Sequence, residues 1–147
     1  MIKLILFSIL IFFQAGASIL ELKNEENQLV SIQTPTKKVL VIFWASWCPS
    51  CKEKLTQILP KWNENKNITI LAVNTDEDLE RAKHFSKSKG IIFPLYFDEN
   101  KKLQRELNVK SIPYWAIFNR DLENQYNLVA RGEGFDQEKI KTILLVP

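Results

Sequence analysis

Val39-Leu40-Val41-Ile42-Phe43-Trp44-Ala45-Ser46-Trp47-Cys48-Pro49-Ser50-Cys51 decides how this chain is read. Its first six residues are apolar without a break, as a strand covered on both faces of a parallel sheet requires. Beyond it, Cys51, Leu55, Ile58, Leu59 and Trp62 recur at helical spacing on one face. The two cysteines therefore stand at a strand-to-helix junction. They are the only cysteines in 147 residues. Two cysteines so placed suit a disulfide that opens and closes better than one that staples loops.

The rest of the chain extends the same pattern. A short edge strand is expected over 28–32 and a turn over 34–38. Pro60 should kink or end the first helix. Residues 68–73 read as a second buried strand. Thr75 and Asp78 read as a capping pair for a helix carrying Leu79, Ala82 and Phe85 and ending near Gly90. A third strand is expected over 93–97, and Leu103 with Leu107 marks another helix. Residues 114–118 and 128–131 read as two strands joined through a polar turn. Asp136 caps a last helix with Ile140, Ile143 and Leu144 inward. The order β-α-β-α-β-α-β-β-α predicts an α/β fold, a central mixed sheet with helices on both faces. Gly132-Glu133-Gly134 is too short for a phosphate loop and reads as a turn. Trp44, Trp62 and Trp115 read as core.

Lys3 precedes an apolar run over 4–13, and Ala15-Gly16-Ala17 follows with the small residues a signal peptidase reads. Residues 1–17 are therefore expected to be a cleaved secretory signal, and 18–147 a single domain in the periplasm or otherwise exported. The alternative is a membrane anchor over residues 4–20, which falls short of the roughly 20 apolar residues of a span and is interrupted by Gln14 and Gly16. The formal charge is +3, or +2 once Lys3 is removed. So weak a bias gives no reason to invoke nucleic acid. Outside the cytosol, disulfides persist.

Residues 41–51 resemble the active-site segment of thioredoxin-like proteins. More narrowly, they resemble the exported branch that includes the bacterial disulfide reductases of cytochrome c maturation. Phe93-Pro94-Leu95-Tyr96-Phe97-Asp98 followed by Leu107-Asn108-Val109-Lys110-Ser111-Ile112-Pro113 is similar to that family's stretch ending in a cis-proline. The resemblance implies a thioredoxin-like fold and a redox-active Cys48–Cys51 disulfide. It also implies a cis bond at Pro113, with the backbone of Ile112 pairing with a partner chain in strand fashion. The alternative for Pro113 is an ordinary proline at a strand start.

With Cys48 at the N-cap and Pro49 at the first helical position, free backbone N–H groups favour the Cys48 thiolate. Cys48 is then the nucleophile and Cys51, one turn further in, the resolving thiol. Trp47, Pro49 and Ser50 are supporting residues. Trp47 reads either as a shield and apolar contact for partners or as purely structural. A structural disulfide is disfavoured, since so short a loop constrains the unfolded chain little. One cysteine pair and His84 do not supply four zinc ligands, so no metal is expected, nor any nucleotide or organic cofactor. His84 reads as a solvated helix residue. A peroxide-reducing relative would carry threonine and proline where Ala45 and Val41 stand.

Three positions depart from the family pattern. Ile42 stands where cytosolic thioredoxins carry a buried acid. Lys54 stands where cytochrome-maturation relatives carry a glutamate, with Glu53 one residue earlier and turned about 100° away. The proton shuttle for Cys51 is therefore unassigned, and Lys52 and Lys54 read as solvent-facing. Tyr114 replaces a small hydroxyl residue after the cis-proline, with a reshaped partner groove as the expected result. The Pro49-Ser50 pair lacks the histidine of strong oxidants, which favours the reducing half of the potential range.

The reading is an exported thiol:disulfide reductase, a monomer. Its substrates are protein disulfides, with apocytochrome c suggested by resemblance, and it needs a membrane or exported electron donor. The alternatives are a general oxidase or isomerase, or a redox-inactive binding module.

Overall fold

A computed structural model describes residues 20–145. The expected signal over 1–17 and its boundary lie outside the described residues. Seven strands make one mixed sheet: β1 (Glu21–Lys23), β2 (Leu29–Ser31), β3 (Lys38–Trp44), β4 (Ile68–Asn74), β5 (Leu95–Phe97), β6 (Tyr114–Arg120) and β7 (Tyr126–Glu133). Their spatial order is β2-β1-β5-β4-β3-β6-β7. Strands β3, β4 and β5 run parallel, while β6 pairs antiparallel with β3 and with β7. The sequence reading missed β1, whose three residues carry a single buried side chain, Leu22, too short a signal for periodicity.

Strand β3 lies inside the sheet, between β4 and β6, because it has no polar face. Leu40, Ile42 and Trp44 enter one apolar cluster, and Val39, Val41 and Phe43 the other. Fully burying side chains of this kind contributes about 1.5–3 kcal/mol each. Only Lys38, at the entrance, is polar; its Nζ donates to the carbonyls of Ile143 and Leu144. Those carbonyls belong to the last turn of α5 (Gln137–Leu145), so the cation closes that helix and ties it to the sheet.

The helix after the cysteines is less regular than its periodicity suggests. α1 (Pro49–Glu53) passes through a π-helical turn, Lys54–Ile58, into α2 (Leu59–Asn63). Pro60 does not end the helix: the wider turn ahead of it relieves the clash its ring would make with a carbonyl four residues back. α3 (Leu79–Lys89) is capped by Asp78 alone, whose carboxylate accepts from the amides of Glu80 and Arg81. Thr75 is not part of that cap; its hydroxyl donates to the Trp44 carbonyl. α3 ends at Gly90 in the left-handed conformation, and His84 is exposed. α4 (Lys102–Glu106) is held by Asp98, which accepts from Leu103 and Gln104. Asp136 caps α5 through the Lys139 amide, as expected.

Two strands differ in extent from expectation. β7 is longer than 128–131 and takes in Gly132 and Glu133, leaving Gly134 alone with positive φ (+70°) at the turn. Gly132 is flat against Trp115: a Cβ there would sit 2.9 Å from the indole ring. The third strand is shorter, beginning at Leu95.

Candidate active site

The last residue of β3 is Trp44, and four residues on the chain turns into α1. The Cys48 amide donates to the Ala45 carbonyl (3.1 Å), closing a tight turn over Ser46 and Trp47. Cys48 is the N-cap, extended at φ −101° and ψ 100°, and Pro49 opens the helix where its missing N–H costs nothing. Cys48 and Cys51 form a disulfide. The Cys51 amide donates to Cys48 Sγ at 3.3 Å, and the Ser50 hydroxyl lies 3.6 Å from the same sulfur. A helix N-terminus aimed at a sulfur favours its ionised form. Cys48 keeps 5% of its surface and Cys51 none, so Cys48 is the more exposed of the two.

The side chains around the sulfurs divide by exposure. Trp47 is 64% exposed, so its ring stands mostly in solvent, and Pro49 and Ser50 are exposed beside it. Beneath the disulfide, Cys48 and Cys51 share an apolar cluster with Ile42, Trp44, Leu55 and Trp115. Ile42 thus places a hydrocarbon where a buried acid would otherwise stand, and Glu53 turns outward to pair with Lys54. Lys54 is not solvent-facing: only 19% of its side chain is exposed, and Nζ lies 5.8 Å from the Phe135 ring centroid.

The second expected segment arrives at the same end of the sheet. In the β3/β6 register Phe43 faces Tyr114, so Pro113 lies level with the end of β3. The Ile112–Pro113 bond is cis. Pro113 is buried, and Ile112 is half-buried against both core clusters. Tyr114 does not reshape a groove here. It turns into the opposite core face, edge-on to Phe43, and its hydroxyl donates to the Leu107 carbonyl (2.8 Å). Arg131 donates to that same carbonyl (2.9 Å), so two side chains hold the start of the loop that ends at Pro113. Burial pushes the Tyr114 hydroxyl above its ordinary 10.0, against an opposing pull from Arg131 and with a smaller push from Glu133.

The sequence reading missed one further group. Both Asp76 carboxylate oxygens accept hydrogen bonds from Ser46, one from its amide (2.8 Å) and one from its hydroxyl (2.9 Å). A polar Asn74-Thr75-Asp76 run at the carboxyl end of a buried parallel strand was the available signal, because sites in open α/β sheets gather there. Among the described residues no three His, Cys, Asp or Glu side chains group as a metal set. A cleft of about 460 Å³, lined by Thr36, Lys38, Asn67 and Leu144, opens at the opposite end of β3.

A family model described as Redoxin matches residues 13–142. The chain belongs to the Redoxin family. This redoxin is 28% identical over 103 residues to sporulation thiol-disulfide oxidoreductase A of Bacillus subtilis (strain 168), a match covering 67% of this chain and 62% of that protein. It is 28% identical over 88 residues to thiol-disulfide oxidoreductase ResA of Bacillus thuringiensis (strain Al Hakam), covering 58% of this chain and 50% of that one. The matches thus span less than two thirds of either relative. Among solved structures, StoA from Bacillus subtilis superposes with a TM-score of 0.67 at 23% identity, over 87% of this chain and 97% of that one. The fold is thioredoxin-like, as residues 41–51 implied.

Proposed function

We propose that this redoxin is an exported thiol:disulfide oxidoreductase that reduces protein disulfides through Cys48 and Cys51. The observation that carries this reading is the hydrogen bond from the Cys51 amide to Cys48 Sγ at a helix start, with the second sulfur within bonding reach. Two relatives named as thiol-disulfide oxidoreductases support it.

In the proposed cycle the Cys48 thiolate attacks one sulfur of a partner disulfide. The partner S–S bond breaks, its other sulfur leaves as a thiolate and takes a proton from water, and a mixed disulfide forms. The Cys51 thiol then gives up its proton and attacks Cys48 Sγ. The mixed bond breaks, and the partner leaves with both sulfurs reduced. Two electrons have passed to the partner, and this chain holds the Cys48–Cys51 disulfide. An external dithiol, membrane-borne or exported, must reduce it again. The exposed Trp47, Pro49 and Ser50 form the surface a folded or extended partner would meet, and Ile112 before the cis-proline offers backbone for strand-like pairing. No small-molecule pocket is needed for such a reaction. Export follows from the reading of residues 1–17, and apocytochrome c is the substrate favoured by family resemblance.

The test is insulin reduction by dithiothreitol with and without the protein, together with the redox potential in glutathione buffers. Acceleration and a potential towards −270 mV support a reductase. A value near −120 mV would reverse the direction of electron flow. A Cys51→Ser variant should accumulate mixed disulfides in the cell envelope, and their identities name the substrates. Recovering none would leave the chain a binding module.

A further inference from the structure

We propose that Asp76 is a positioning residue for Cys48, acting through Ser46. This rests on the reading of Cys48 as the attacking sulfur. Between Trp44 and Cys48 the chain has left the sheet and not yet entered the helix, so its polar groups need partners elsewhere. They find them on the residues that end and follow β4. The Trp44 carbonyl accepts from the Thr75 amide (2.8 Å) and hydroxyl (3.2 Å). Ser46 gives both of its donors to Asp76. Asp76 is in turn held by Asn74, whose Nδ2 donates to Oδ2 (2.9 Å) and whose Oδ1 accepts the Asp76 amide (2.8 Å). Asn74 is 1% exposed and pairs with Trp44 in the β3/β4 register. The clamp is therefore anchored in the sheet and not in a mobile side chain.

Ser46 and Trp47 are the two central residues of the turn closed by Cys48 N–H and Ala45 C=O. If that turn rotates, Cys48 rotates with it, and the 3.3 Å contact from the Cys51 amide to Sγ is lost. Freeing Ser46 should thus weaken thiolate stabilisation although Ser46 never touches the sulfur.

A carboxylate near a thiol also acts through charge, and the two effects have opposite signs. Loss of a nearby negative charge favours the thiolate and lowers its pKa. Loss of the clamp disfavours the thiolate and raises it. The sign of the shift therefore separates positioning from simple electrostatics, and a role confined to overall stability moves neither.

The experiment is the pH dependence of iodoacetamide alkylation in the full chain, in a Cys51→Ser background where Cys48 is the single thiol. Asp76→Ala should raise the Cys48 pKa by about one unit, roughly tenfold less thiolate well below it. Ser46→Ala, which keeps the carboxylate and the amide bond, should raise it by less. The two together should raise it by less than the sum, because both break one device. Glu77→Gln, which removes an exposed carboxylate from the next position, should not raise it. A lower pKa in Asp76→Ala, or no upward shift in either variant, overturns the inference. Should Asp76→Ala not fold, Asp76→Asn and Ser46→Ala decide by the same sign. An unaltered background chain whose Cys48 titrates near 8.5 would instead sink the proposed nucleophile, a different failure.

Discussion

The Ser50 hydroxyl lies 3.6 Å from Cys48 Sγ, on a sulfur that already accepts the Cys51 amide hydrogen. A hydroxyl that donates to a thiolate stabilises the reduced, ionised form. One such bond contributes about 0.5–1.5 kcal/mol net. Ser50→Ala should therefore raise the Cys48 pKa by about half a unit to one unit. It should also make the disulfide harder to reduce, moving the potential roughly 15–30 mV more negative. Equilibration against glutathione reads this directly; an unchanged or more positive potential would mean the hydroxyl points elsewhere in the dithiol.

Cys48 and Cys51 differ in access. Cys51 has no exposed surface and packs with Leu55 and Trp115. In the reduced protein, limited alkylation followed by peptide mapping should label Cys48 at least about tenfold before Cys51, since thiolate character and exposure both favour it. Equal labelling would remove the assignment of attacking and resolving roles.

Tyr114 links the cis-proline loop to the core by donating to Leu107, and its hydroxyl is pushed above 10.0 chiefly by burial. A raised folded-state value means the folded protein holds this proton after the unfolded chain has released it. Its contribution is thus fully present below about 10 and is lost as pH rises from there through the folded value. Tyr114→Phe should cost about 0.5–1.5 kcal/mol near neutral pH. Above pH 10 the gap between the two proteins should narrow. Urea denaturation at pH 7 and in the alkaline range checks both; a gap that widens with pH contradicts the assignment.

Gly132 lies under Trp115, with 2.9 Å between a built Cβ and the indole ring. Trp115 is 1% exposed and cannot retreat into solvent. Gly132→Ala should destabilise by roughly 1–3 kcal/mol through overpacking. Gly134→Ala, where nothing lies within 4 Å, tests backbone strain alone because φ is +70°. Thermal melts of the two variants separate the causes, and an undisturbed Gly132→Ala would show that the tryptophan has room to move.

Much of this was legible in the chain because strong signals repeat. The unbroken apolar run of β3, the alternation of its residues between two cores, and the caps at Asp78 and Asp136 each follow from local chemistry. Pro60 signalled a break in the regular helix, and a π turn is the form that break takes. Tyr114 misled because neighbours on a strand face opposite sides. The residue after Pro113 enters the far core, although its backbone borders the site.

By itself the sequence determined that two cysteines stand one helical turn apart where a buried strand meets a helix, because strand periodicity, helix periodicity and the reach of a disulfide are all local. Only the tertiary structure decided what holds that junction, and the loop before Pro113, in place. Asp76 lies 30 residues from Ser46 and Arg131 lies 24 from Leu107, contacts made by neighbouring strands and the loops between them. No local pattern encodes such a hydrogen bond, because its geometry exists only after the sheet has brought the two stretches side by side.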